Sequence, residues 1–597
     1  MGKSKSSVIA WRLNFFRFLI LLFFACLIFK FFKIQVLAHA EYSSIATKQH
    51  WVGREIPAER GKILMSDGFT LAIDINTYLL YSIPPKVNDS KATAEKLIDV
   101  IGFETKAETE EDRKQDKEKA TRQLEDKLNQ KKLQWIALAR KLDAMEKAKI
   151  ESLSLEGIGF EKEFTRFYPE GKTASHVLGF VGSDEQGNKV GYYGIEGYFD
   201  GILKGLSGVL SEEQDPVGRP IPVGDYIPLL AENGQDVVLT LNHELQYLIE
   251  KKLKEGVERY DAKSGSVIIL DPASGEILAM ANYPDYSPQD WEKWANDDFA
   301  EGEIKDKYRI GKDVFQNSAI AKVYEPGSVF KPFTMSAGIE TGKITPETTF
   351  ESKPIEIQGY VIRTWNDKYF GEESMSEVLQ HSDNTGAAWL ALQLGVDTVY
   401  DYFKKYHLGE KIDIKLEDEE EGLVKPKDEW MPIDLATAAF GQGISVTPLQ
   451  LISAYQVIAN NGIYNRPQIV KEIRGEDKTT TYKSPPPERI ISEETAKTLV
   501  DMLTSVVEKG EFKFAVLPGY KIAGKTGTAQ IPRNGTYDPN KTDCTFVGFA
   551  PASEPKFLML VKLEEPTAST YSAETAVPLW MNIVKELFVY YGVPPNN

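Results

Sequence analysis

Two reactive side chains stand three residues apart in the stretch VYEPGSVFKPF: Ser328 and Lys331. On a helix, positions i and i+3 share a face, so the lysine amine reaches the serine hydroxyl. A serine hydroxyl is a poor nucleophile until a neighbour takes its proton. A lysine can take it once burial and a second cation lower its pKa. The spacing alone says little, because SEPK places Ser553 and Lys556 equally far apart. The surroundings separate the two pairs. Pro326-Gly327 marks a turn just before Ser328. Pro332 is tolerated only near a first helical turn, where backbone N–H groups lack helical partners anyway. Ser328 therefore opens a helix, its own N–H placed to serve an oxyanion, while Val329 and Phe330 face the core. Ser553-Lys556 holds Pro555 between its members, follows GFAPA and precedes a strand-like run, so it reads as a loop.

Two further clusters follow in order. QHSDNTGAAW supplies Ser382, Asp383 and Asn384, 54 residues after Ser328, and AGKTGTAQ supplies Lys525, Thr526, Gly527 and Thr528, 143 residues after Ser382. Alone, the first reads as a helix cap, a place all three residue types favour. Alone, the second reads as a strand with a glycine bulge, since the GxxxxGK spacing of a phosphate loop is missing. Beside Ser328-Lys331, Lys525 is the natural second cation. His381 precedes Ser382, but nothing in the sequence places an acid to orient it, and it reads as a local surface histidine.

The elements that must hold these residues are legible from patterning. ENGQDVVLTLNHELQYLIEKKLKEGVERY gives a polar turn, an alternating strand and a helix with Asn242 as N-cap. SGSVIILDPASGEILAMANYP reads as two strands around a turn, TFVGFAP and KFLMLVKLEE as strands, and AETAVPLWMNIVKELFVYYG as a closing helix. Strands set between an early and a late helix predict an α/β domain over 236–597. Upstream, residues 41–230 form a separate mixed unit. There Asp67-Gly68 is a tight turn between short strands, and RFYPEGKTASHVLGFVG and GIEGYFDGILKGLSG read as turns and short strands. Near 104–155 the composition turns to Lys, Glu, Gln and Asp. Leu124, Leu128, Leu138, Leu142 and Met145 recur at helical spacing, which predicts one or two amphipathic helices with a solvated charged face.

The N-terminal run FFRFLILLFFACLIFKFFKIQVL has a charge-free core between Arg17 and Lys30, shorter than the ~20 residues that span a bilayer. Snorkelling of those two cations extends it enough, which predicts a tail over 1–12 and an anchor over 13–37. Lys3, Lys5 and Arg12 place the tail in the cytoplasm. A signal peptide cleaved after LAHA is the alternative; in both cases the remainder lies outside the plasma membrane. A formal net charge of -18 excludes a generic nucleic-acid binder. The two cysteines, Cys26 and Cys544, form no disulfide framework, and no CxxC or HExxH pattern points to a metal. No cofactor is expected.

The ordered set SxxK, SDN and KTG is the signature of penicillin-binding proteins and class A β-lactamases. With it, RGKILMSDGFTLA, GIEGYFDGILKG, YEPGSVFKPF, FGQGISVTPLQL, IANNGI and FVGFAP make nearly the whole chain resemble a class B penicillin-binding protein. That is a monofunctional peptidoglycan D,D-transpeptidase, here closer to the division-type branch than to the elongation branch. The resemblance implies a penicillin-binding/serine β-lactamase-like transpeptidase domain, an antiparallel sheet flanked by helices. An α+β pedestal of the dimerisation type and one transmembrane helix precede it. It implies that Ser328 attacks the penultimate D-alanine carbonyl of a stem pentapeptide, with Lys331 as general base and Ser382 and Asn384 relaying protons and orienting the peptide. Lys525, Thr526 and Thr528 would hold the terminal carboxylate, with Gly527 between them in the substrate-binding strand. The Ser328 and Thr528 N–H groups would form the oxyanion hole. The implied partners are peptidoglycan stem peptides, β-lactams that trap Ser328, and a SEDS-type glycan polymerase, because residues 1–235 lack the length and pattern of a transglycosylase. No PASTA-type extension follows the closing helix. The alternatives are a serine β-lactamase or D,D-carboxypeptidase, and a β-lactam-sensing receptor or non-catalytic division scaffold. KLEDEEEGLVKP lacks the Glu-x-x-Leu-Asn that positions a hydrolytic water in class A enzymes, and a receptor would need more membrane spans than the one visible.

Overall fold

The computed structural model describes residues 5–42, 51–103, 105, 109–213, 226–295, 312–533 and 536–595. The chain divides into two compact units, residues 1–58 with 205–233 and residues 59–204 with 234–597.

In the first unit, Lys5–Phe32 is one helix, continued by a π-helical turn over Lys33–Leu37. Twenty-eight helical residues measure about 42 Å at 1.5 Å each, more than the ~30 Å hydrocarbon layer. Residues Ala10–Leu37 are apolar enough to cross a membrane and none of that window is buried within the protein. Its Phe and Leu side chains therefore face outward all round, as a lipid-facing helix requires. The helix starts ahead of the apolar core, at Lys5. Trp51–Ile56 pairs antiparallel with Gly208–Glu213, which pairs in turn with Tyr226–Leu229.

The second unit contains a mixed sheet that ties the segment before residue 204 to the segment after 234. Ile63–Leu64 runs parallel to Asp236–Leu239 and antiparallel to Thr70–Ser82. The Asp67-Gly68 turn closes the latter pair, with Gly68 at φ 86°. Beneath this junction lies a buried ion cluster. Glu196, wholly buried, takes Arg60 Nε at 2.7 Å and Arg166 Nε at 2.7 Å, while Asp200 takes Arg60 Nη1 at 2.7 Å and Asp74 takes Arg166 Nη1 at 3.3 Å.

The charged segment holds helices at Glu110–Leu128 and Ala144–Ser152, but Ile136–Leu142 between them is a strand paired with Thr70–Ser82. Leu138 and Leu142 are buried as expected, in a sheet and not on a helix. A spacing of four keeps two residues on one face of a helix and also on one face of a strand, whose period is two; those two positions alone do not discriminate.

The unit's larger part is built on five antiparallel strands: β1 (Ser264–Leu270), β2 (Ile277–Tyr283), β3 (Ala523–Arg533), β4 (Thr536–Ala550) and β5 (Phe557–Glu564), in the order β2-β1-β5-β4-β3. Helices α1 (His243–Arg259), α2 (Lys331–Glu340), α3 (Met375–Gln380), α4 (Asn384–Lys405), α5 (Pro448–Ala459), α6 (Glu493–Lys509) and α7 (Ala576–Tyr590) surround it. The Asn242 side chain caps α1 by accepting from Leu245 N at 3.0 Å. Gly256 of α1 lies against Leu579 of α7, so these two helices cover the sheet together. Seven of the eight residues of β5 are buried, which demands cover on both faces; α7 and the wholly buried α5 both pack on it. The order leaves β3 as an edge strand among the described residues, free to lie against the turn that carries Ser328.

Candidate active site

Ser328 sits in a 3-10 turn, Gly327–Phe330, that runs directly into α2 at Lys331, with Pro332 in the first helical turn. Gly327 has φ 62° and its N–H donates to Gly441 O at 3.0 Å. Gly441 has φ 78°, and a Cβ there would lie 2.3 Å from Gly327 O, so both glycines are required. Tyr455 of α5 donates its hydroxyl to Val329 O at 2.6 Å, and Thr334 Oγ1 donates to Ala439 O at 2.9 Å. Val329, Phe330 and Phe333 are fully buried. The nucleophile's turn and the start of α2 are therefore held from below by packing and from the side by α5 and the Ala439–Gly441 segment.

Lys331 is fully buried. Its Nζ donates to Ser328 Oγ at 2.9 Å, Ser382 O at 2.5 Å, Asn384 Oδ1 at 2.9 Å and Ser382 Oγ at 3.2 Å. Lys525, on β3, donates to the same Ser382 Oγ at 2.9 Å. Ser382 thus bridges the two ammonium groups. Burial, and then the charge of Lys525, hold Lys331 well below the ordinary lysine range. Burial also brings Lys525 down to about 8, against the pull of the nearby Glu511 carboxylate.

The SDN turn has an unusual backbone. Ser382 is left-handed at φ 56°, and Asp383 is the N-cap of α4, accepting from Thr385 N at 2.6 Å. The capping reading and the site reading both hold: Asp383 caps, while Ser382 and Asn384 reach Lys331. Asn384 Nδ2 is fixed by Arg363 O at 3.1 Å. On β3, Gly527 comes so close to the Ser328 turn that a Cβ would lie 2.6 Å from Pro326 O. Thr526 is half-buried and Thr528 exposed. Ser572 ties this strand down: its Oγ donates to Gly527 O at 2.5 Å and its N–H to Thr528 Oγ1 at 3.1 Å.

Six of the eight sequence-selected residues, Ser328, Lys331, Ser382, Asn384, Lys525 and Thr526, therefore fall into one hydrogen-bonded group, and Gly527 and Thr528 adjoin it on the same strand. His381 is no base for Ser382; its Nδ1 is paired with Glu373 Oε1 and its ring stacks on Phe370. Ser553 and Lys556 lie in the loop between β4 and β5. Tyr455, Gly441, Ser572 and Glu511 were not singled out from sequence. Only the paired glycines of FGQG carried a local signal, a demand for positive φ.

Residues 265–585 match the penicillin-binding protein transpeptidase domain, and residues 55–239 match the penicillin-binding protein dimerisation domain. Stage V sporulation protein D of Bacillus subtilis is 31% identical over 574 residues, 94% of this chain and 83% of that protein. The peptidoglycan D,D-transpeptidase FtsI of Escherichia coli K12 is 29% identical over 569 residues, 95% and 89% of the two chains. Among solved structures, penicillin-binding protein 3 of Mycobacterium tuberculosis in complex with aztreonam superposes with TM-score 0.66 at 26% identity, covering 91% of this chain and 98% of that one. Penicillin-binding protein 2X of Streptococcus thermophilus shares the fold, with TM-score 0.73 at 24% identity over 90% and 80%. The chain belongs to the penicillin-binding protein transpeptidases, in the class B arrangement in which a dimerisation domain precedes the transpeptidase domain.

Proposed function

We propose that this chain is a peptidoglycan D,D-transpeptidase that works through a Ser328 acyl-enzyme. The observation that carries the reading is the buried amine of Lys331, 2.9 Å from Ser328 Oγ and depressed in pKa, with a second lysine one hydroxyl away. A neutral Lys331 keeps its donors on Ser382 O and Asn384 Oδ1 and turns its lone pair to Ser328. Ser328 Oγ then gives its proton to Lys331 and attacks the carbonyl of the penultimate D-alanine of a stem peptide. The peptide C–N bond breaks, and the departing D-alanine amine receives a proton from Lys331 by way of Ser382, which touches both lysines. The amine of a second stem peptide attacks the ester, loses its proton to Lys331, and releases Ser328 with its proton restored. Cationic Lys525 with Thr526 and Thr528 would hold the terminal carboxylate, and the Ser328 and Thr528 N–H groups the oxyanion.

A hydrolytic reading gains no support from the acidic loop. Glu417 accepts from Tyr193 N at 2.7 Å, and Glu419 accepts from the N–H groups of Ile412, Asp413 and Ile414, so both are committed to backbone. The names of the relatives, FtsI and a sporulation protein among them, support septal wall synthesis over lateral growth. The N-terminal helix supports a single-pass anchor in the plasma membrane; a transpeptidase outside the cytoplasm and a SEDS-type glycan polymerase beside it belong to the reading as what the family resemblance implies. Intact-mass spectrometry after benzylpenicillin tests the central claim. One slowly released adduct is expected, absent from Ser328→Ala; an adduct that survives this substitution sinks it, and rapid turnover would favour a β-lactamase.

A further inference from the structure

The edge strand β3 offers a substrate carboxylate two hydroxyls, Thr526 and Thr528, and their protons are not equally available. The two residues are two apart and so share a face of the strand. Thr526 Oγ1 accepts from Lys525 Nζ at 3.4 Å, and among the described residues its own proton goes to no acceptor. Thr528 stands differently. Its Oγ1 lies 2.9 Å from Ser572 Oγ and accepts from the Ser572 N–H at 3.1 Å. Distance alone does not say which of the two hydroxyls donates, but counting protons does. A serine hydroxyl carries one proton, and a backbone carbonyl only accepts. Ser572 Oγ lies 2.5 Å from Gly527 O, so its one proton is spent on that carbonyl. The proton between Ser572 and Thr528 is therefore that of Thr528, and it points at Ser572.

Ser572 has no freedom to follow a change at Thr528. It is wholly buried, in the 3-10 turn Ser572–Glu574 that leads into α7. Thr575 Oγ1 donates to Tyr571 O at 2.8 Å, and Thr542 Oγ1, on β4, donates to Thr570 O at 2.8 Å, so the backbone on either side of Ser572 is fixed. A carboxylate lying along β3 can accept from Thr526 and disturb nothing. It can accept from Thr528 only when that hydroxyl rotates from Ser572 to the anion. The bonds from Ser572 Oγ to Gly527 O and from Ser572 N–H to Thr528 Oγ1 survive that rotation. The third bond, between two neutral hydroxyls, is exchanged for a charge-assisted one. On the reading that Ser328 is the nucleophile and β3 holds the carboxylate, we propose that Ser572 is a positioning residue acting through Thr528: its hydroxyl holds the Thr528 proton in the empty site and competes with the substrate carboxylate for it.

The competition makes Thr526 the readier of the two donors and leaves Thr528 as a donor that must first be released. It also separates Ser572 from a residue that only braces the strand. Loss of a brace loosens Gly527 and Thr528 and weakens binding. Loss of a competitor frees the Thr528 proton for the anion and strengthens binding.

The test follows benzylpenicillin acylation of the full chain up to saturation, which separates the half-saturating concentration from the limiting rate. Wild type, Ser572→Ala, Thr528→Val and the double variant are compared. Ser572→Ala is expected to lower the half-saturating concentration about threefold, the worth of one neutral hydrogen bond. Thr528→Val, which keeps the shape and removes the hydroxyl, is expected to raise it about fivefold in wild type but about fifteenfold in Ser572→Ala. A half-saturating concentration that rises in Ser572→Ala, or a Thr528→Val factor that is the same in both backgrounds, overturns the proposal. If Ser572→Ala does not fold, Ser572→Cys takes its place, because a thiol still offers Gly527 O a donor but is a poor acceptor for Thr528; the same two comparisons then decide. Absence of any wild-type adduct overturns the Ser328 reading itself, and is thereby distinguished from failure at Ser572 alone.

Discussion

Gly527→Ala tests whether the edge strand and the nucleophile's turn form a single rigid device. The substitution adds one methyl where the structure has no room. Its Cβ would lie 2.6 Å from Pro326 O and 2.8 Å and 3.1 Å from the two methyls of Val329. The oxygen is backbone and Val329 is fully buried, so neither yields cheaply. Restoring ordinary contact at 3.4 Å requires β3 and the Ser328 turn to separate by about 0.8 Å. Backbone strain is not the issue, since no positive φ is recorded at Gly527. Overpacking of this kind costs ~1–3 kcal/mol of stability, or a few degrees of melting temperature in a large domain. Its effect on reaction is greater, because the displaced strand carries Lys525, Thr526 and Thr528 while the turn carries Ser328. A misplacement near 1 Å at reacting groups costs ~100-fold, about 2.7 kcal/mol of activation free energy. Stopped-flow acylation with a fluorescent penicillin should therefore show a second-order rate constant down by ~100-fold, with cooperative unfolding retained. A variant that acylates within about threefold of wild type would refute the claim that this contact sets the geometry.

Three further outcomes follow from the same contacts. Cationic Lys525 is the form that would bind a carboxylate, and it is populated below its pKa of about 8; acylation by benzylpenicillin should fall as the pH rises through that value, and a rate still climbing at about pH 9 would contradict the assignment. Glu196→Ala leaves the buried Arg60 and Arg166 without their shared partner and should cost ~3–5 kcal/mol in chemical denaturation, with a loss below ~1 kcal/mol arguing that water already serves the cluster. Tyr455→Phe removes the 2.6 Å bond to Val329 O beside the nucleophile and should cost ~1 kcal/mol with a measurable slowing of acylation, whereas an unchanged rate would mean that packing alone holds the turn.

What the sequence made legible was local. Pro326, Gly327 and Pro332 constrain the backbone within a few bonds of themselves, so the start of α2 could be placed without coordinates. Asn242 caps α1 through its own side chain three residues on, and that too is written in adjacent letters. The supports that fix the site are of another kind. The Tyr455 hydroxyl reaches a carbonyl 126 residues earlier, and Ser572 ties a strand 44 residues before it. Neither residue type is unusual where it stands; only the folded chain shows which carbonyl is its partner. Leu138 and Leu142 failed for a different reason, since spacing by four satisfies both helix and strand. His381 lay between these cases. Its partner Glu373 is eight residues away, but strand and helix must both form before the two meet.

The two lysines show why three separate motifs are needed for one reaction. A general base must be neutral at working pH and an anion-binding group must be charged, yet both positions are filled by the same buried residue type. The environments push them apart. Lys331 suffers burial and also the positive charge of Lys525, and it falls well below the lysine range. Lys525 suffers burial but is supported by the Glu511 carboxylate, and it remains near 8. The two shifts are linked: the charge of Lys525 pushes Lys331 down, while the Glu511 carboxylate holds Lys525 up. Where neighbouring titratable groups are pushed apart in this way, the proposed roles of base and cation follow the direction of each shift. In the proposed mechanism Ser382, hydrogen-bonded to both lysines, would pass the proton from the base that has acquired it to the amine that is about to leave. Moving any of the three motifs would leave a serine and a lysine at the right spacing with no second lysine and no bridging hydroxyl beside them; Ser553 and Lys556, in their loop between β4 and β5, share the spacing alone.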